Sequence, residues 1–202
     1  MTEQFRDNTL SDQALDQIFR EARSYNGWHD REVSEEQIKA IYELLKMGPT
    51  SANQQPGRFV WCKSQDAKDR LAAHADEANK EKVKTAPVCV IIGYDTEFHE
   101  HLPWLFPHAD AKSWFEGDKE KRETTAFRNS ALQGAYLMIA ARALGLDCGP
   151  MSGVDLDAVT NDFFADQPNY KADWICSIGY GDKSTIFERS PRADFDTFNS
   201  IA

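Results

Sequence analysis

The chain has 202 residues, 41% hydrophobic and 28% charged, and 23 Lys plus Arg against 33 Asp plus Glu give a net charge of −10. That length suits one domain, residues 1–202, with a sizeable buried core, and the apolar fraction is too high for a disordered chain. The acidic balance argues against a nucleic-acid binder, which usually carries a basic stripe that displaces counterions, so any anionic ligand has to be held by a local basic cluster.

Met1 to Asp16 is polar and acidic, without the basic-then-apolar pattern of a targeting signal. A first helix is predicted from Ser11, with Leu15, Ile18, Phe19 and Ala22 at helical spacing, stopping before Asn26-Gly27. A second begins at Ser34, where Gln37 completes a capping box and Ile38, Ile41, Leu44 and Leu45 form one face; Gly48-Pro49 ends it. Arg58 to Lys63 reads as a strand, followed by helical pieces from Ala67 to His74 and up to Thr85. Val88 to Tyr94 is an apolar, β-branched run that suits a central strand buried on both faces.

From Glu97 to Gly117 periodicity is lost, but Phe98, Trp104, Phe106, Trp114 and Phe115 mark an ordered excursion. A long helix is predicted from Glu123 to Leu146, apolar around most of its circumference from Ala131 to Ala143. Such a helix needs cover on nearly every side, which in a chain this short points to a second subunit. This run contains Gln133 and Arg142 and falls short of the roughly 20 apolar residues needed to span a bilayer, so no membrane association is expected. An extended piece from Cys148 to Met151, a helix from Leu156 to Phe164 and a strand from Asp173 to Tyr180 complete the order, and the irregular connections favour an α+β sandwich.

Cys62, Cys89, Cys148 and Cys176 are far apart and form no CxxC, as expected of free thiols in a reducing cytoplasm. His99, His101 and His108 lack a cysteine or a helical HxxxH spacing, and no metal site is expected. No glycine-rich phosphate loop or nucleophile elbow is present. Pro49, Thr50, Ser51 and Asn53 gather two hydroxyls and an amide after a helix, a set that suits either a ligand loop or an ordinary helix exit. Arg23, Ser24 and Asn26 add a cation and two hydrogen-bonding groups at the exit of the first helix.

Taken in order, these segments resemble the nitroreductase-like family of flavin mononucleotide (FMN) oxidoreductases over nearly the whole chain. Arg23-Ser24-x-Asn26 with Trp28 resembles the family's flavin-phosphate segment, Asn26 standing where many members carry a basic residue. Pro49-Thr50-Ser51-x-Asn53 resembles its PSSxN loop, and Asn79-x-x-Lys82 resembles a pair that contacts the flavin. Pro150, Met151, Ser152 and Gly153 lie in a segment similar to one over the flavin ring, and Arg189 and Arg192 resemble a second phosphate contact. Within the family, Lys46 to Asn53, His101 to His108, Ala126-Phe-Arg-Asn129, Leu132 to Tyr136 and Gly149 to Gly153 resemble the malonic semialdehyde reductase branch (RutE), assigned to pyrimidine degradation.

The resemblance implies an FMN-binding fold with a central, mostly antiparallel sheet flanked by helices, in an intertwined homodimer with shared active sites. It implies NAD(P)H as reductant, a small-molecule substrate, hydride chemistry at flavin N5 and no catalytic protein nucleophile. Trp104 and Phe106 then form either a wall of the substrate pocket or dimer packing, with Arg128 as a carboxylate partner. A broad nitro or quinone reductase and a non-enzymatic flavin-binding protein on the same scaffold are the alternatives.

Overall fold

The computed structural model describes residues 9–202, so the part of the N-terminal targeting reading that falls on residues 1–8 lies outside the described residues. Helix α1 (Asp12–Leu15) is capped by the Ser11 hydroxyl, as predicted, and runs into one π-helical turn, Asp16–Arg20. It ends sooner than its periodicity implies and buries none of its residues, Phe19 remaining 54% exposed. The Arg23 segment is therefore extended, and Ser24 bridges Cys148 in parallel.

Helix α2 (Glu35–Leu45) carries the complete Ser34–Gln37 capping box. Ile41 and Leu45 are fully buried, but Leu44, expected on the same face, is exposed. Strand β1 (Gly57–Cys62) leads to α3 (Gln65–Ala73), α4 (Glu77–Thr85) and β2 (Val88–Asp95). Two 3₁₀ turns and α5 (Leu102–Leu105) order the aromatic excursion, whose Phe98, Leu102 and Phe115 build a small core of their own with Ala126. Then follow α6 (Lys119–Ala143), β3 (Asp147–Met151), α7 (Leu156–Phe163), β4 (Tyr170–Gly179) and α8 (Phe195–Phe198).

The four strands form one antiparallel sheet in the order β1-β2-β4-β3. Because side chains alternate across a strand, β2 feeds both faces, as its unbroken apolar pattern predicts. Val88, Val90 and Ile92 join Ile41, Leu45 and Leu137 beneath α2 and α6, while Cys89 and Ile91 join Leu71, Val83 and Val159 beneath α3, α4 and α7. This is an α+β sandwich with helices on both sides of the sheet.

Helix α6 differs from expectation in what it buries. Its inward face includes Asn129, Ser130 and Gln133, and two of these hold distant backbone: Asn129 Oδ1 accepts from Ser51 N at 2.9 Å and Gln133 Oε1 from Gly57 N, at the start of β1, at 2.7 Å. Phe127, Leu132 and Tyr136 face outward at 52%, 48% and 38% exposure. Within one chain this apolar face has no cover.

Candidate functional site

Edge strand β3 organises the site. Tyr25 N–H donates to Cys148 O at 3.0 Å, which fastens the Arg23-Ser24-Tyr25 segment to the start of the strand. A Cβ on Gly149 would lie 2.5 Å from Tyr25 O, so only glycine permits that approach. At the far end, Asn79 Nδ2 donates to Gly153 O at 3.0 Å, and Lys82 Nζ donates to Asn79 Oδ1 at 3.2 Å. A Cβ on Gly153 would come within 2.6 Å of both Asn79 Nδ2 and Asp76 Oδ2. The two ends, Cys148 and Gly153, are separated by roughly 16 Å of extended chain at about 3.3 Å per residue. Between them, among the described residues, Pro150 and Met151 make no main-chain hydrogen bond outside the ladder to β4.

Beside the first end opens a cleft of about 660 Å³, lined by Arg23, Ser24, Arg142, Arg189 and Arg192 among others. The C-terminal segment is held there by side chain to backbone bonds. Arg23 donates to Phe187 O, and Arg189 Nη2 donates to Arg20 O at 2.8 Å and Ala22 O at 3.1 Å. Asn26 Nδ2 donates to Thr185 O at 3.1 Å, so this departure from the family pattern serves the same tethering. Arg20 is neutralised by Asp12 and Asp16. Among the described residues no carboxylate comes within 4.0 Å of the other four guanidinium groups, although Glu188 is in the lining. Arg142 enters from the end of α6, where Nη1 donates to Ile18 O at 3.3 Å and the buried Nε has no partner.

Nearby, Asp147 accepts from Gly181 N at 2.9 Å, yet burial raises its carboxyl above the ordinary value. Burial, and then this carboxylate, push up the phenol of Tyr25.

Not all predicted residues meet here. Pro49, Thr50, Ser51 and Asn53 form a loop on the side of α6's uncovered face, where Gly48 packs against the Tyr136 ring. Ala52, Asn53 and Gln55 adopt left-handed φ values of 50°, 47° and 41°. Thr50 Oγ1 accepts from Gln55 N at 3.1 Å, and Asn53 Nδ2 donates to Leu105 O at 2.8 Å, which couples the loop to the aromatic excursion. Trp104 is 72% exposed and lines a small cleft with Tyr42, Gln55, Arg58 and His101, whereas Phe106 packs edge-on against His108 and Trp114. Arg128 lines a separate shallow cleft with Asp118 and Glu120. Within one chain the predicted residues thus fall into a β3 group, a loop group and an isolated Arg128.

Sequence reading overlooked Arg142 as a site residue. Its signal was present: it is a charge within an otherwise apolar helical run, which calls for a specific polar partner.

Comparison with known proteins agrees with this architecture. The Nitroreductase family model matches residues 3–181. A Burkholderia lata protein, provisionally named NADH dehydrogenase/NAD(P)H nitroreductase, is 55% identical over 193 residues, covering 96% of this chain and 98% of the relative. A similarly named Ralstonia nicotianae protein is 51% identical over 188 residues, covering 93% and 96%. A provisionally named nitroreductase of Exiguobacterium sibiricum, solved in complex with FMN, superimposes with a TM-score of 0.83 at 22% identity, covering 96% of this chain and 99% of that one. The Bacillus subtilis ydfN structure superimposes at 0.81 with 20% identity, covering 92% and 97%. By the extent of the family match and the identity to these relatives, the chain belongs to the Nitroreductase family.

Proposed function

We propose that this chain is an FMN-dependent NAD(P)H oxidoreductase that works in the cytoplasm as a homodimer, each chain a single domain over residues 1–202. The observation that carries this reading is the gathering of Arg23, Arg142, Arg189 and Arg192 around one cleft with no carboxylate partner, in a chain of net charge −10. Four guanidinium groups that donate only to backbone carbonyls, with Asp147 acting on Arg142 from beyond ion-pair distance, fit a doubly charged phosphate. The orphaned Arg142 Nε fits the same ligand, with its anionic end at the arginines and its planar end towards Asn79 and Lys82. The relatives' names supply the NAD(P)H part of the reading.

When bound, FMN supplies hydride chemistry between NAD(P)H and a second substrate, so the protein needs no nucleophile. The chain's own residues bind and orient. The arginines neutralise the phosphate, and Ser24 adds a hydroxyl. Asn79 holds the Lys82 ammonium beside Gly153, where its remaining N–H donors would meet negative charge on the ring edge, and Pro150, Met151 and Ser152 would lie beside the ring.

The homodimer is supported by the uncovered Phe127, Leu132 and Tyr136 and by exposed Met47 beside them in the fold. We read the Pro49, Thr50, Ser51 and Asn53 loop of one chain as completing the β3 cleft of its partner, the shared active site that the family resemblance implies. Trp104 and Phe106 would then wall the substrate space.

At finer grain we read the substrate as malonic semialdehyde, reduced to 3-hydroxypropanoate in pyrimidine degradation, on the strength of the branch resemblance in sequence. Broad nitro or quinone reduction is the second reading, favoured by the relatives' nitroreductase names. Purified protein should absorb near ~450 nm and bleach anaerobically with NAD(P)H. A colourless protein that FMN cannot reconstitute would sink the flavoenzyme reading. Rates with malonic semialdehyde, nitrofurazone and menadione choose between the two substrates.

A further inference from the structure

A second cleft, of about 540 Å³, shares no lining residue with the arginine cleft. It is bounded by the Trp28 to Glu32 segment, the start of α3 and the end of α4. Three cations line it, Arg31, Lys68 and Lys84, and among the described residues none has a carboxylate within 4.0 Å. Of the two acids in the lining, Glu32 is already engaged by Lys63 at 2.6 Å, which leaves Asp30.

Lys68 is the unusual member. Only 8% of it is exposed, and its ammonium donates to a single acceptor, Ala86 O at 2.8 Å. A buried ammonium with no counter-ion and unused donors is costly unless something else compensates it. Arg31 is pre-set by stacking over the Tyr180 ring, 3.7 Å from the centroid. Helix α3 begins here at Gln65, and although the Ser64 cap takes the Ala67 N–H and Asp66 lies in the first turn, the dipole end adds to the field. The opposing carbonyls at the end of α4 are partly occupied, since Lys84 O accepts from Gln65 and Ala86 O from Lys68. Lys84 lies two residues beyond Lys82, and residues so spaced face apart on a helix. The cleft is thus separate from the Asn79–Lys82 pair.

We propose that this cleft binds a small phosphate-bearing molecule, with Lys68 as its buried anchor and Arg31 and Lys84 at its mouth. Three cations against one free carboxylate match a ligand carrying at least two negative charges, and the volume suits a small metabolite. The site stands whether or not the flavin reading holds.

The test titrates pyrophosphate, and separately inorganic phosphate, into the full-length protein by calorimetry, both as purified and with excess FMN present. Expected is one saturable pyrophosphate site per chain, weakened roughly 10- to 100-fold by Lys68→Met, the worth of one charge-assisted hydrogen bond. Arg31→Gln and Lys84→Gln should each weaken it several-fold, and Lys39→Gln, on the exposed face of α2, should not. Both mouth variants lie near the surface and decide the matter if Lys68→Met does not fold. Absence of saturable binding overturns the proposal, as does equal weakening by Lys39→Gln. Binding that is lost on Arg189→Gln and kept on Lys68→Met assigns the anion to the first cleft and overturns it too.

Discussion

Replacing Arg189 with Ala separates the two tasks assigned to it. In the protein alone, its exposed guanidinium donates to Arg20 O and Ala22 O at 2.8 and 3.1 Å. Solvent-exposed bonds of this kind sit at the low end of about 0.5–1.5 kcal/mol each, so the ligand-free protein should lose at most about 1 kcal/mol, a shift of a few degrees in Tm. A phosphate contact from the same group is charge-assisted and worth about 1.5–3 kcal/mol, which predicts an FMN Kd raised roughly 10- to 100-fold. Arg189→Lys keeps the charge, loses the forked geometry and should fall between. Quenching of flavin fluorescence gives the Kd at low and high salt, and thermal melts of ligand-free protein give the structural part. An FMN affinity within twofold of wild type at low salt, with an unchanged melt, would refute the phosphate nest. A lost affinity that tracks only a collapsed Tm would show that Arg189 acts as a strap alone.

Four further outcomes are expected. Leu132→Glu with Tyr136→Asp places charges on the uncovered face of α6 and should yield monomers by sedimentation with loss of bound flavin; a dimer that persists refutes that interface. Gly134→Ala would set a Cβ 2.3 Å from Trp174 Cζ2, so overpacking of about 1–3 kcal/mol should outweigh a helix gain of about 1, lowering the urea midpoint. Asp162 is held below the ordinary carboxylate range by hydrogen bonds from Arg70 and then His74. A lowered native value means that its stabilisation is present above the unfolded value of about 3.9 and is lost as pH falls through the native one. The stability gap between wild type and Asp162→Asn should therefore be open at pH 5 and narrow as the pH falls below about 4, and a pH-independent gap contradicts it. Arg128→Ala should raise the KM for malonic semialdehyde but not for menadione; an unchanged KM removes Arg128 from carboxylate binding.

Local chemistry makes much of the fold legible in the amino-acid order. The Ser34–Gln37 capping box forms as read, strand β1 is displaced by one residue from its expected span, and the unbroken apolar run of β2 marks the central strand. Caps, alternation and breakers act over a few residues, so the sequence displays them directly. The first helix shows where that logic stops. Its apolar spacing is helical, but no core lies beneath it, and the chain leaves the helix at Arg20 to pair Ser24 with β3.

Tertiary structure decided the rest. Arg142, Arg23, Arg189 and Arg192 come from separated parts of the chain, and only the tethering of the C-terminal segment to residues 20–23 gathers them in one cleft. Motif order suggested that Thr50 and Asn53 share a site with Arg23, whereas the fold sets them on another side of one chain. Likewise α6 reads as nearly all apolar, yet it turns Asn129 and Gln133 inward to hold distant backbone N–H groups and leaves Leu132 and Tyr136 uncovered. Which side of a helix meets the sheet, and which charges are left without partners, depend on contacts between distant residues that no local pattern encodes.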